Sequence, residues 1–427
     1  MDKFISRNPL LGLIVYCLVF AAPSVCSPPD GQLNYRIGLI TEGYYRRLND
    51  TPLNRDNKWL PQIRYGNFTS SDLFLNYGSF TTAMKGLAEY TDRDASAYRA
   101  IIRELYFDRE IGEAFHVTVG RKILKWGTGY AFNPCGVLEP ARHASDPSDR
   151  LERYQGKQII SFDAFSDLHS FALVYANEAR YKDKFHRGKH ELASRFYTLI
   201  CDIDLSLLAF WKEVDKFKWG VTTAYTYGSH IELHSEWIGQ LGTNKLYHRV
   251  LSDPNFQPNS SISNYIARYQ NSEKLFPKLL LGAQYTFDNG INLMIEYYYN
   301  REGLTHHEWQ RWRKFILRQT DGMSAFPPDP LSFVNFYSAL STLDKYGTLR
   351  HYAFCRGYWP MQRSSAEFLL LENLVDGSGA GIVTLNYIFP SGLTAWIRGE
   401  GYVGKRNSEF GLLFFRSTVL LGAKYGF

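Results

Sequence analysis

Ser417-Thr418-Val419-Leu420-Leu421-Gly422-Ala423-Lys424-Tyr425-Gly426-Phe427 ends the chain, and it reads with a period of two. Val419, Leu421, Ala423, Tyr425 and Phe427 share one face, while Thr418, Gly422, Lys424 and Gly426 stand on the other with Leu420. Side chains that alternate in this way belong to a strand that is greasy on one side and small or polar on the other.

The same pattern recurs upstream. Leu279, Leu281, Ala283, Tyr285 and Phe287 share a face, Asp288-Asn289-Gly290 supplies a tight turn, and Leu293, Ile295, Tyr297 and Tyr299 continue the code. Val383, Leu385, Tyr387 and Phe389 repeat it before Pro390-Ser391-Gly392. Tyr285/Phe287, Tyr387/Phe389 and Tyr425/Phe427 each set two rings at a strand end, which reads as one aromatic girdle at a membrane interface. The last pair also resembles the C-terminal signature by which barrel-insertion machinery recognises outer-membrane barrels, so Tyr425 and Phe427 are the expected insertion signal.

The opposite faces carry charge. Ile203, Leu205, Leu207, Ala209 and Trp211 alternate with Asp202, Asp204 and Ser206, and Ile231, Leu233 and Trp237 alternate with His230, Glu232, His234 and Glu236. A charge facing lipid at mid-depth costs about 2–4 kcal/mol, so these groups are expected inside a barrel. Asp202, Asp204, His230, Glu232, His234, Glu236, Arg398, Glu400 and Lys424 are therefore the candidate pore-lining residues.

Segments of this kind lie near 33–47, 71–79, 80–92, 98–109, 114–125, 157–166, 168–177, 190–200, 203–212, 216–226, 229–240, 277–287, 291–300, 349–359, 364–374, 378–389, 392–403 and 417–427. They suit tilted membrane strands of roughly 9–11 residues. The expected fold is all-β, a transmembrane antiparallel β-barrel of about eighteen strands, with sixteen equally consistent. Composition agrees: aromatic residues make up 16% of the 427 residues, and flat rings favour strands. Beyond the N-terminus no apolar run is long enough for a spanning helix.

Residues 1–26 read as a secretory signal peptide, with Lys3 and Arg7 ahead of the apolar stretch Leu10 to Ala22 and cleavage between Ala22 and Ser27. The mature barrel is expected over 27–427. Loss of Cys17 and Cys26 leaves Cys135, Cys201 and Cys355, with no zinc spacing and no framework that selects a disulfide pair. The net charge of +6 is too slight and dispersed for nucleic-acid binding. Long connections at about 126–156, 178–189, 241–276 and 301–348 are expected to be extracellular loops or inward-folded constrictions. In the last, Trp309, Trp312, Phe315 and Ile316 among Arg311, Arg313, Lys314 and Arg318 suit a short amphipathic helix, packed in the loop, plugging the lumen, lining it with positive charge, or resting at the membrane edge.

Chemistry is sparse. Gly127 and Gly129 lack the Lys-Ser/Thr of a phosphate-binding loop, and His306-His307-Glu308 lacks the second histidine of a helical zinc motif. His230, Glu232, His234 and Glu236 share a face, but alternate strand residues lie about 6.5–7 Å apart, which favours a solvated or salt-bridged wall over one ion. No Gly-x-Ser-x-Gly context is present, and no catalytic residue, metal or cofactor is expected.

Gly120-Arg121-Lys122, Trp126-Gly127, Asn133-Pro134, Asp376-Gly377-Ser378-Gly379 and Ser408-Glu409-Phe410-Gly411 together resemble outer-membrane barrels of the alginate-export-like and related uncharacterised porin-like families. That resemblance implies passive export or uptake of anionic or neutral solutes. Arg121, Lys125, Arg142, Arg150 and Arg153, with Arg311 and Arg313, are the candidate mouth residues for anion preference. The competing reading pairs the basic residues of the first loop with Glu139, Asp146, Asp149 and Glu152 to hold that loop. The expected function is a porin-like channel in the bacterial outer membrane, with polymer export or a plugged barrel bearing rim enzyme activity as alternatives. Expected partners are outer-membrane lipid and lipopolysaccharide, the insertion machinery, and a small solute or polymer; the barrel is expected to be a monomer or weak oligomer.

Overall fold

The computed structural model describes residues 33–54, 63–92, 97–140, 142–177, 190–213, 215–253, 256, 265–267, 273–343 and 348–426. The expected signal segment, the 178–189 connection and Phe427 lie outside the described residues.

Eighteen antiparallel strands form one sheet. They are β1 (Leu33–Leu48), β2 (Tyr65–Tyr77), β3 (Phe80–Thr91), β4 (Ala97–Ile111), β5 (Phe115–Lys122), β6 (Lys157–Phe165), β7 (His169–Asn177), β8 (His190–Ile200) and β9 (Ile203–Lys212). The second half comprises β10 (Lys218–Tyr227), β11 (Ile231–Gln240), β12 (Lys278–Thr286), β13 (Asn292–Asn300), β14 (His351–Pro360), β15 (Ser364–Asn373), β16 (Ser378–Ile388), β17 (Thr394–Val403) and β18 (Phe415–Gly426). Each strand pairs with its sequence neighbours, and β18 pairs with β1 from Gly38↔Gly426 to Leu48↔Phe415, which closes the sheet so that it has no edge strand.

The period-two code sets the walls. Leu207, Ile295 and Leu421 are 50%, 61% and 59% exposed, while their neighbours Leu208, Met294 and Leu420 are 5%, 7% and 7%. The first set faces outward and the second faces in. Tight turns gather at one end with the start of β1 and the end of β18, and the long connections gather at the other. Tyr285–Phe287 and Tyr387–Phe389 meet edge to face at 4.6 and 4.8 Å at the turn end, where the aromatic girdle is expected.

Two expectations change. Asp202 does not line the wall: Cys201 and Asp202 carry φ of 49° and 64°, forming the two-residue turn between β8 and β9, where left-handed backbone matches strand twist. The inner wall is also not hydrophilic throughout. Ile159, Ala172, Val174, Ala176, Ala193, Leu208, Phe210 and Ile238 make an apolar inward patch across β6–β11, covered by Trp126, Cys135 and Leu138. Burial of that patch draws the chain after β5 into the barrel. Cys135, Cys201 and Cys355 are all free.

At the loop end, α1 (His306–Ser324) starts with a capping box between Thr305 and Glu308, and α2 (Pro330–Ser341) is capped by Asp329 with Pro330 in its first turn. Trp309, Trp312, Phe315, Ile316 and Met323 of α1 join a buried cluster with Phe132 and the inward residues Tyr352, Phe354, Leu369 and Ile382. Arg311 donates to the Leu251 carbonyl at 3.3 Å and Arg313 to that of Asn407 at 2.9 Å, so both brace neighbouring loops. No helix among the described residues is long and apolar enough to cross a membrane.

Candidate functional site

β5 is short, and after Lys122 the chain leaves the wall and runs inside the barrel as the segment 123–156 before rejoining at β6. Buried carboxylates on inward strand positions hold its backbone. Glu236 of β11 accepts from the Gly129 and Cys135 amides, each at 2.7 Å, and from the Thr128 hydroxyl at 3.3 Å. Glu296 of β13 accepts from the Ala131 amide at 2.8 Å and from that of Tyr130, and lies 3.1 Å from His234 Nε2. A side chain at Gly282 would occupy the place of the His234 ring, so glycine there lets the imidazole lie across β12 toward Glu296.

Further along, the segment follows the inner wall round the barrel. Tyr130 donates to Glu367 of β15 at 3.3 Å; burial, reinforced by that carboxylate, pushes its phenol up to about 12, so it stays neutral. Arg398 of β17 donates to the Ser145 carbonyl and to Glu400 at 2.8 Å. Arg150 is bidentate to Glu42 of β1 at 2.9 and 3.1 Å and also meets Asp146 at 2.7 Å. Lys85 of β3 donates to the Leu151 carbonyl at 2.7 Å, and Glu152 pairs with Arg103 of β4 at 3.0 Å and Lys424 of β18 at 2.9 Å. Burial raises the Glu152 carboxyl, but the Lys424 and Arg103 contacts outweigh it, and the net shift is downward.

Most sequence-predicted site residues are therefore tethers. Glu236, Arg398 and Lys424 hold the segment rather than face open water, His234 braces the segment-holding Glu296, and Glu400 orients Arg398. Asp204 stays inward near the turn end, accepting from the Tyr197 hydroxyl; His230 sits at the turn, 2.9 Å from the Thr286 carbonyl, and Glu232 lies 3.8 Å from His234 Nδ1. Arg150 and Arg153 pair with Asp146 inside the segment, as the loop-holding reading expects, and Lys125 is exposed. Arg121 is not at the mouth. It shares strand parity with Phe115, Val117 and Val119 and so faces outward, whereas Lys122 faces in and pairs with Asp108 at 3.1 Å. Sequence reading missed Glu42, Lys85, Arg103 and Glu296, each a charged inward position in its strand.

Arg142 borders a cavity of about 240 Å³ between the segment and the β10–β13 wall, lined also by Glu139, Lys218, Lys278, Gln240 and Asn300. Arg142 pairs with Glu139 at 3.2 Å and Lys278 with Glu302 at 2.9 Å. Burial acts to raise the Glu302 carboxyl, but Lys278 and the Thr243 hydroxyl carry it down to about 2, so it stays ionised.

In the connection between β11 and β12, His248 is fully buried, 4.7 Å from the Phe315 ring, and its Nδ1 accepts from the Val250 amide at 3.3 Å. Burial pushes the imidazole down to about 4. In the unfolded chain it protonates near the ordinary value of about 6.5, so acid favours local unfolding. Stability here is full above about pH 6.5 and falls progressively toward pH 4. Hydrogen exchange in 249–251 and α1 will quicken over that window, and a His248→Gln variant will lose the dependence.

No known protein family matches this sequence, and no curated protein does either. Among solved structures, OprD of Pseudomonas aeruginosa aligns at 10% identity over 92% of this chain and 95% of its own, with a TM-score of 0.48. OccK5 (OpdH) of Pseudomonas aeruginosa aligns at 9% identity over 92% and 98%, also at 0.48, and a mutant of the Rh. blastica porin at 9% over 93% and 100%, at 0.42.

Proposed function

We propose that this chain is an outer-membrane channel for small hydrophilic solutes, with segment 123–156 as its constriction. The observation that carries the reading is a closed eighteen-stranded wall, apolar outside, around a segment that charged wall residues hold inside the lumen. An apolar outer belt with an aromatic girdle suits lipid, and the fixed charges along the inner path suit hydrated solutes. Arg142, Lys218 and Lys278 against Glu139 and Glu302 leave the cavity side of the constriction positive, which favours anions.

Purified protein in planar bilayers is expected to give stable conductance steps with anion preference in a salt gradient, and Lys218→Gln to lower the anion-to-cation permeability ratio. An unchanged ratio removes the anion preference, and a membrane that stays sealed favours a plugged barrel. Polymer export is the second reading, since Trp126-Gly127 and Asn133-Pro134, which carry the likeness to alginate-export barrels, lie in the constriction. Under that reading polyuronate oligomers, but not the monomer, will block the conductance.

A further inference from the structure

Where segment 123–156 turns inward, the outer wall is notched. β4 pairs with β5 only from Leu105↔Arg121 onward, so among the described residues the loop-end half of β4 has no strand beside it on that side. A cavity of about 620 Å³ opens there, lined by Ile102, Val119, Arg121, Gln155, Gln158 and Tyr175. The Ile102 carbonyl, left free by the gap, accepts from Arg121 Nη1 at 3.2 Å and from Gln155 Nε2 at 2.9 Å. Arg121 pairs in register with Gln158, which pairs with Asn177, so a guanidinium and carboxamides stand side by side on the outside. Around them Ile102, Val119 and Ile160 are 41%, 46% and 54% exposed.

A cation on a lipid-facing wall is costly unless it reaches the headgroup layer or an anion. Arg121 stands one residue from the loop end of β5, and among the described residues no carboxylate pairs with it. A planar guanidinium with several free donors matches a phosphate, and the flanking apolar side chains match acyl chains. We propose that this notch is a binding site for a phosphate-bearing outer-leaflet lipid, with Arg121 and the Gln155 and Gln158 carboxamides on the phosphate and the chains lying over Val119 and Ile160. The inference rests on the outer wall being lipid-facing, as the channel reading has it.

The test is native mass spectrometry of the detergent-solubilised barrel titrated with bisphosphorylated lipid A, phosphatidylcholine or inorganic phosphate. The native protein is expected to retain one lipid A and neither of the others. Arg121→Gln is expected to weaken retention by about tenfold or more, the scale of one charged hydrogen-bonding partner. Arg121→Lys should recover part of it, and Arg109→Gln, an outward arginine of β4 near the turn end, should change nothing. Equal retention by Arg121→Gln, equal loss with Arg109→Gln, comparable phosphatidylcholine binding, or displacement by excess inorganic phosphate would each overturn the proposal. Conductance measured on the same samples separates this failure from failure of the channel reading, because Arg121 lies outside the lumen.

Discussion

Glu236→Ala will free the constriction while leaving the barrel closed. The carboxylate is fully buried and accepts the Gly129 and Cys135 amides at 2.7 Å each. Its removal strands two backbone donors where water is scarce, and a buried unsatisfied donor costs about 1–3 kcal/mol. The loss of several kcal/mol falls on one loop, because the β10–β11 and β11–β12 ladders do not involve the side chain. Trp126 and Leu138 remain packed on the apolar patch, so the stretch from Gly129 to Cys135 will detach first. Expected results are a higher and noisier single-channel conductance and new protease cleavage within 123–156 in the folded, membrane-inserted protein. Glu236→Gln keeps the shape and one acceptor oxygen, so it should fall between. If conductance and protease resistance are both unchanged in the alanine variant, the segment is not what narrows the lumen.

The part of this design that sequence reveals is the part written in neighbouring residues. Alternation along Leu279 to Tyr285 or Val419 to Tyr425 exposes the strand and its two faces, and each of the eighteen expected segments meets a strand of the barrel. The small sheet between Leu246–His248 and Tyr265–Ala267 carries no such code, and α2 is hidden behind Pro327, Pro328 and Pro330, which read as loop. What covers an inward residue is a matter of distant pairing: Gly129 and Glu236 lie 107 positions apart, and no local pattern joins them. Glu296 left a local trace nonetheless, as a lone carboxylate among Leu293, Met294, Ile295, Tyr297 and Tyr298. Arg121 shows the opposite case. Its parity with Phe115, Val117 and Val119 is plain in the sequence, but grouping basic residues by proximity placed it in the mouth, and strand alternation assigns it to the outer wall.

Leu207→Arg tests the wall itself. Leu207 is midway along β9, faces out, and pairs with outward Val221, so in a membrane the new guanidinium would meet hydrocarbon. A cation at mid-depth costs about 2–4 kcal/mol, whereas near an interface it costs about 0–1 kcal/mol. Tyr227, 66% exposed at the turn end of β10, supplies the shallow control. Refolding into phosphatidylcholine vesicles under urea titration should show Leu207→Arg destabilised by that larger amount and Tyr227→Arg little changed. In water alone the order would differ, since an exposed leucine replaced by arginine on a soluble protein shifts stability by only about ±0.5 kcal/mol. Equal stability of the two variants, with the native chain staying dispersed without detergent, would mean that the outer face meets water, and the channel reading would fall with it.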